Sequence, residues 1–301
     1  MRSLAVLIAM LAMLSASLAK DELQIGDLVK QHLNSIGTQQ ARDAVKSRLA
    51  EGIVQFHVLS GGSGNADGKQ VFVSEGDKFV TLLKLPSPSY HGERFVSDGG
   101  KTTIGYVTPG NYSNFGEFVH VHDEILTEGL WGGVLSTGWV LANLEDHHGK
   151  LHYEGLRKIG GRELHQLRYE PAKRSDLEIL LYFEATTFRH VMTSYSLTID
   201  PQLARREREN AQQQSSHYRL EERFSDFKDT DKLSLPGRWV IQFAVDNPIN
   251  PVGRDAAAWG NSATARRANL AVAQTSVVEF SITETSISHN VQLDPRNFEI
   301  K

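Results

Sequence analysis

Residues 155–200 decide the fold, and they read GLRKIGGRELHQLRYEPAKRSDLEILLYFEATTFRHVMTSYSLTID. The stretch divides into four runs rich in β-branched, aromatic and long apolar residues, separated by Gly160-Gly161, by Pro171 and by residues 185–187. Such runs between turn-forming residues predict β-strands. Because a parallel crossover takes a dozen or more residues, strands this close in sequence are predicted to be antiparallel neighbours.

The same pattern continues on both sides of these four strands. Further strands are predicted for the segments 53–59, 70–75, 78–85, 94–97, 103–107, 217–227, 238–245 and 276–288. Gly76-Asp77 and residues 98–101 have the composition of tight hairpin turns. The sequence therefore predicts a long antiparallel meander.

Two helical segments are predicted before the first strand. Residues 25–36 place apolar side chains at helical spacing, and Gly37 is a natural stop. A second helical segment is predicted to begin at Thr38 and to end at Gly52.

A central segment, residues 114–143, differs in character from the strands. Its apolar side chains include Trp131 and Trp139, and glycines interrupt it, which predicts one or two short helices. Helices and strands do not alternate along the chain, so the fold class is α+β with one antiparallel sheet. Such a sheet must bury its apolar face, and too few helices exist to cover a flat one. We expect a strongly curved sheet, plugged by the N-terminal and central helices.

The N-terminus is predicted to be a secretory signal at residues 1–19. Arg2 precedes an apolar run at 4–14, and small residues follow at 17–19. The alternative is a membrane anchor, but the run is shorter than the roughly 20 residues that span a bilayer. The chain has no cysteine, so it cannot carry a lipoprotein signal and forms no disulfide. We expect a soluble periplasmic or secreted protein.

The remaining chain, residues 20–301, is long enough for a large core and is predicted to be a single domain. Two polar stretches, near 203–216 and 247–275, are predicted to be loop insertions. The formal net charge is −4 at pH 7 and no basic stripe occurs, which excludes nucleic acid as a partner. The protein is predicted to be a monomer.

The protein is predicted not to be an enzyme. The sequence lacks a G-x-S-x-G nucleophile elbow, an H-E-x-x-H motif and cysteine. Adjacent acidic residues point in different directions on a helix or a strand, so the three acidic pairs are interpreted as solvated charges: Asp21-Glu22, Asp123-Glu124 and Glu221-Glu222. No cofactor is predicted.

The histidines raise a metal hypothesis. His120 and His122 form an H-x-H motif, and on a strand these two side chains would share a face. The alternative is that they are solvated loop histidines, like His147, His148 and His152 in their polar surroundings. We predict no metal ligands, and keep a metal-dependent protein as a third hypothesis.

Several motifs together resemble those of the periplasmic outer-membrane lipoprotein carriers, the LolA/LolB-like superfamily. FVSDGGKT at 95–102, followed by Tyr106 and Pro109, is similar to a V-S-D-G-K-T…Y…P segment of that family. The likeness continues, in order, through the segments 84–86, 160–167, 178–183, 198–200, 223–228, 235–236 and 293–298.

This resemblance implies a half-open β-barrel with helices as a lid, around an apolar cavity that takes acyl chains. Members of the family carry or sense lipid-modified cargo in the periplasm, as non-catalytic carriers or chaperones. One position departs from the pattern: Leu85 stands where the carrier has an arginine linked to handing its cargo onward.

The predicted function is therefore non-catalytic binding or carriage of lipid or of the acyl chains of lipoproteins. The implied partners are a lipid or lipid-modified protein and a membrane-bound donor or acceptor. The alternative is a structural or signalling interaction domain with a closed core. The candidate cavity and lid residues are Val54, Phe56, Val58, Val71, Val73, Phe79, Leu83, Leu85, Leu126, Leu130, Trp131, Leu135, Trp139, Ile179, Leu181 and Phe183.

Overall fold

The computed structural model describes residues 25–87, 90–106, 113–199, 216–246 and 276–300. The predicted signal at 1–19 and the predicted insertions, apart from Ser216, lie outside the described residues. The described strands form one antiparallel sheet of twelve strands. Their bounds are Ser47–Ser60 (β1), Asn65–Glu75 (β2), Lys78–Lys84 (β3), Gly92–Asp98 (β4), Thr102–Tyr106 (β5), Lys150–Ile159 (β6), Arg162–Glu170 (β7), Glu178–Glu184 (β8), His190–Ile199 (β9), Ser216–Thr230 (β10), Leu233–Asp246 (β11) and Ser276–His289 (β12).

The helical elements are short and lie outside the sheet. The α-helices are Ile25–Ile36 (α1), Gln39–Asp43 (α2), Asn114–Val121 (α3), Glu124–Thr127 (α4) and Leu144–His147 (α5). Single 3₁₀ turns are Gly133–Leu135, Val140–Ala142 and Pro295–Phe298. The predicted helix at 25–36 and the short, glycine-interrupted central helices are thus confirmed.

The sheet is curved and unclosed. Its strand order is β5-β4-β3-β2-β1-β12-β11-β10-β9-β8-β7-β6, so the two end strands stand at opposite edges. The four longest strands, β1, β10, β11 and β12, form its centre, where β1 pairs with β12 over residues 48–60 and 277–289. This architecture confirms the predicted α+β class and the half-open barrel, including the four-strand meander at 155–200.

The predicted second helix, from Thr38 to Gly52, is wrong in its greater part. Only Gln39–Asp43 is helical, and β1 begins at Ser47 and continues through Gly52. A β-bulge between Glu51 and Gly52 explains why glycine stands there, since a Cβ atom would lie 2.8 Å from the carbonyl oxygen of Thr283 on β12. The glycine permits close strand approach and does not end a helix.

The two faces of the sheet are covered differently. One face, called the inner face here, packs a single large core against α1 and the central segment. The outer face carries two small apolar clusters, one around Phe298 of the C-terminal tail and one around Leu164, Tyr182 and Val191. The large core therefore lies between the inner face and the segments that cover it.

Candidate functional site

The candidate site is the inner face of the sheet and the segment that fills it. Residues 113–147, called the plug from here on, comprise α3, α4, α5 and two 3₁₀ turns. Its largest apolar side chains are buried to 3% exposure or less: Phe115, Phe118, Ile125, Leu126, Leu130, Trp131, Val134, Leu135, Trp139, Val140 and Leu141. The plug is therefore part of the core and not a surface loop.

Aromatic rings join the plug to the sheet. The indole of Trp131 lies 5.3 Å from the indole of Trp239 on β11 and 5.4 Å from the ring of Phe95 on β4, measured between centroids. Phe115 contacts Phe280 at 5.3 Å, and Phe118 contacts Phe243 at the same distance. Such tilted and edge-on pairs are the favoured aromatic geometries.

Polar side chains of the sheet and of α1 also hold the plug at defined points. We call six of them the plug anchors: His32, Arg48, Thr81, Glu93, Tyr169 and Glu222. Buried polar groups of this kind stabilise only when they are paired, and removing one partner leaves an unsatisfied group that costs about 1–3 kcal/mol. The anchors therefore fix the position of the plug and determine which of its residues contact the sheet.

Glu222 anchors the middle of the plug. One carboxylate oxygen accepts the backbone N–H of Gly132 at 2.8 Å, and the other accepts the hydroxyl of Tyr195 at 2.9 Å. Gly132 has a φ of +74°, which glycine adopts without strain, and this conformation turns its N–H toward the carboxylate. Burial raises the pKa of Glu222 to about 8, although these hydrogen bonds act in the opposite direction.

Arg48 anchors the turn that follows. Its guanidinium donates to the carbonyl oxygens of Val134 and Leu135 at 2.7 and 2.8 Å, and its Nε donates to His289 at 3.1 Å. Burial lowers the pKa of Arg48 to about 10. The two carbonyls belong to a 3₁₀ turn, whose ends lack partners within the helix, so the arginine completes their hydrogen bonding.

Glu93 anchors the start of the plug. It accepts the backbone N–H and the hydroxyl of Ser113 at 2.9 and 3.0 Å, and the hydroxyl of Tyr90 at 2.8 Å. Burial raises the pKa of Glu93, against the effect of these hydrogen bonds. Ser113 caps α3, so the carboxylate also lies where the helix dipole favours negative charge.

The remaining anchors hold tryptophans and one acid of the plug. Trp131 donates its indole N–H to Thr81 at 2.8 Å, and Trp139 donates to Nε2 of His32 at 2.9 Å. Since Nε2 accepts, Nδ1 of His32 carries the proton that it donates to the carbonyl of Phe188. Tyr169 on β7 donates to Glu128 of the plug.

The structure brings nearly all of the predicted cavity residues together on this inner core. The members buried in it are Val54, Phe56, Phe79, Leu83, Leu85, Leu126, Leu130, Trp131, Leu135, Trp139, Ile179, Leu181 and Phe183. Val58 is partly buried against the same core. The predicted walls and the predicted lid therefore belong to the same core.

Two predicted residues lie elsewhere. Val71 and Val73 pack on the outer face with Val80, Val96 and Phe298, while Phe72 between them points into the inner core. Successive side chains of a strand point to opposite faces. The prediction assigned the wrong alternating residues of β2 to the inner face. Phe72, which faces the inner core, was not among the predicted wall residues.

One cavity next to this core is small. A cavity of about 60 Å³ lies between the N-terminal segment and the plug, lined by Arg42, Arg48, Val134, Trp139 and their neighbours. Ligand pockets for small molecules enclose roughly 300–1,000 Å³. This cavity is smaller than such a pocket.

One acidic residue and the two histidines of the H-x-H motif differ from their predicted environments, Asp123 is exposed as predicted, and Asp21-Glu22 lies outside the described residues. Glu222 is fully buried, so its interpretation as a solvated charge is wrong. His120 and His122 lie on and just after α3 and not on a strand, and they do not share a face: His120 is exposed and His122 is buried. Nδ1 of His122 faces the carboxylates of Glu124 and Asp176.

Sequence reasoning missed the anchors, although a signal for two of them was present. Glu222 alternates with Leu220 and Phe224, and this period of two places it on the buried face of β10. Arg48 alternates in the same way with Ala50 on β1, but the segment was predicted to be helical.

Comparison with known proteins gives structural likeness only. No family model matches the chain, and no curated protein matches it in sequence. A LolA superfamily protein from Nitrosomonas europaea is similar at 10% identity and a TM-score of 0.43, covering 91% of this chain and 97% of that one. A DUF1329 family protein from Desulfovibrio piger is similar at 11% identity and a TM-score of 0.44, with coverage of 91% and 97%.

A domain assigned to the outer membrane lipoprotein-sorting proteins, from Vibrio parahaemolyticus, is also similar, at 10% identity and a TM-score of 0.44 over 90% of this chain and 95% of that one. The similar structures thus include the superfamily that the sequence resembles. Within the described ranges, no helix is long and apolar enough to cross a membrane.

Proposed function

We propose that this protein binds the acyl chains of lipids or lipid-modified proteins, without catalysis, on the inner face of its sheet. In this proposal the plug leaves the inner face and the acyl chain takes its place. The inner-core residues reported above supply the walls, and the side chains of Leu126, Leu130, Trp131, Leu135 and Trp139 act as the lid.

One observation carries the proposal: a continuous apolar sheet face is covered by a separate, non-sheet segment held by discrete polar anchors. A sheet face of this extent does not stay exposed to water, since large apolar patches on soluble proteins are occupied by a partner. Whatever replaces the plug must therefore be apolar.

The free energy gained by burying an acyl chain is comparable with the free energy lost by exposing a few large apolar side chains of the plug. Burial yields about 0.8 kcal/mol per CH₂ group, so an acyl chain of about 16 carbons gains roughly 12 kcal/mol. The same principle gives roughly 1.5–3 kcal/mol for each large apolar side chain, so one acyl chain compensates for the exposure of about five of them. The exchange is thus balanced when it displaces the five lid side chains and leaves the other six large apolar side chains of the plug buried.

Localisation and partners extend the same proposal. The predicted signal at residues 1–19 supports export to the periplasm, where the protein acts as a monomer. A membrane-bound donor or acceptor would load or unload the acyl chain. Leu85 is buried in the inner core, so it contributes apolar surface at the place where the carriers have an arginine.

A second function is favoured by the packing itself. The candidate wall and lid side chains lie together in one buried core, and the cavity beside them is about 60 Å³. If the plug never leaves, the protein is an interaction domain whose core is closed by its own side chains. The two functions differ in whether the plug exchanges.

A disulfide lock on the plug separates these functions. The Ser74 hydroxyl accepts the backbone N–H of Thr137 at 3.1 Å, so these neighbouring residues are chosen for the cysteine pair Ser74→Cys and Thr137→Cys. The chain has no other cysteine, so the engineered disulfide is the only one that can form. Uptake of a fluorescent fatty acid is then measured in the oxidised and reduced states, with each single variant as control.

The proposal expects the reduced protein to take up the probe and the oxidised protein to lose most of that uptake. Equal uptake in both states would mean that the ligand binds elsewhere and that the plug is not a lid. No uptake in either state, nor by the unmodified protein, would favour the closed-core interaction domain.

A further inference from the structure

A cluster of metal-binding side chains lies where the plug meets the sheet. His122 follows α3, Glu124 begins α4, and Asp176 lies in the connection between β7 and β8. One ligand atom of each residue lies within 4.8 Å of the other two. Two of the three side chains thus belong to the plug, and the third belongs to the β7–β8 connection.

The two distances from His122 are those of ligands around one ion. Nδ1 of His122 lies 3.6 Å from Oε1 of Glu124 and 3.4 Å from Oδ1 of Asp176. Ligands at 2.0–2.2 Å from a tetrahedral ion are about 3.3–3.6 Å apart. A direct N–H···O hydrogen bond is shorter, at roughly 2.7–3.2 Å.

The ligand atoms are held in place and remain accessible. The imidazole of His122 is 7% exposed and packs against the ring of Phe118, at 4.8 Å between centroids, so its Nδ1 is directed toward the two carboxylates. The side chain of Asp176 is 73% exposed, which leaves an entry path and a position for water.

An outer hydrogen bond orients one carboxylate. The hydroxyl of Ser175 donates to Oε1 of Glu124 and accepts the backbone N–H of Leu177 at 3.0 Å. Ionised carboxylates with such outer partners are typical metal ligands.

We propose that His122, Glu124 and Asp176 bind one divalent transition-metal ion of the zinc type, with water as the fourth ligand. An imidazole nitrogen among the ligands favours zinc over magnesium and calcium, which prefer all-oxygen sites. The ion connects the α3–α4 junction of the plug to the β7–β8 connection, and so fastens the plug to the sheet. This site does not depend on the proposed lipid function.

Titration of the untagged protein with Zn²⁺ tests the site, with isothermal calorimetry as the readout and Co²⁺ absorption as a check of geometry. We expect one equivalent to bind, His122→Ala to weaken binding by at least about tenfold, and Asp176→Asn to weaken it in the same direction. His120→Ala is the matched control, because His120 is an exposed histidine two residues away, and it should bind as the unmodified protein does.

Misfolding would not explain a loss of Zn²⁺ binding by Asp176→Asn, because Asp176 lies in an exposed connection and its substitution leaves the core intact. Zn²⁺ should also raise the melting temperature of the unmodified protein and of His120→Ala, but not that of Asp176→Asn. The proposal is overturned if the protein binds no Zn²⁺, or if Asp176→Asn binds it as tightly as the control does. The cluster would then be an ordinary pairing of a histidine with two carboxylates.

Discussion

The two faces of the sheet differ in how their apolar surface is covered. The inner face packs one large core, in which the plug is attached by buried charged and polar side chains. The outer face has two small clusters, and the C-terminal tail covers one of them through Phe298. The difference shows that the inner cover is specifically positioned, whereas the outer cover is a local contact.

The largest expected difference between the faces is in aromatic truncation. Trp131→Ala removes a fully buried indole and its hydrogen bond to Thr81, and should lower the free energy of unfolding by about 3–5 kcal/mol. Phe298→Ala on the outer face should cost only about 1–2 kcal/mol, because the terminal segment can detach locally. Urea denaturation measures both, and equal losses would contradict the contrast.

Arginine substitution gives the next largest contrast. Arg48→Met leaves two buried carbonyls of the plug without their donor, and should destabilise by about 2–4 kcal/mol. Arg94 on the outer face donates to the carbonyl of Asn297, and Arg94→Met should cost less than about 1 kcal/mol, since water can replace that donor. Thermal unfolding of the two variants tests this, and a larger loss for Arg94→Met would refute it.

The pH dependence of stability reports on Glu222. Its pKa is near 4.5 in the unfolded chain and about 8 in the fold, so the folded state binds more protons between these values and stability falls as pH rises through them. Glu284, with a pKa of about 7, acts in the same direction. His32, with a pKa lowered to about 4, and His190 act oppositely, and their stabilisation is lost as pH falls below 6.5.

Between pH 6.5 and 8 the carboxyl groups therefore dominate. Glu222→Gln should reduce the fall in stability across this interval by about 1–2 kcal/mol. Denaturant titrations at several pH values measure the slope. A variant with the slope of the unmodified protein would mean that Glu222 does not titrate in this range.

The sequence was sufficient to predict the sheet because alternation and turns are local signals. The strands at 155–200 and the hairpin at Gly76-Asp77 follow from patterns within a few residues. The start of β1 was mispredicted because residues 38–52 satisfy both helical and alternating spacing, and only pairing with β2 and β12 decides between them.

The sequence predicts most of the apolar side chains of the site, but not the polar side chains that anchor the plug. Apolar side chains at 179, 181 and 183 share one face of β8 and lie in the inner core, as their spacing predicts. The partners of Glu222 and Arg48 lie about 90 residues away in sequence, at Gly132 and Val134. Such contacts depend on how the plug crosses the sheet, which no local pattern encodes.

The central claim is that an acyl chain replaces the plug on the inner face. Hydrogen exchange of the amides at residues 130–136, measured with and without a saturating fatty acid, tests it most directly. The account predicts that the ligand accelerates exchange of these plug amides, including the Gly132 N–H that Glu222 accepts, while β10 and β11 remain protected. Unchanged or slower exchange in the plug of a protein that binds the fatty acid would contradict the account.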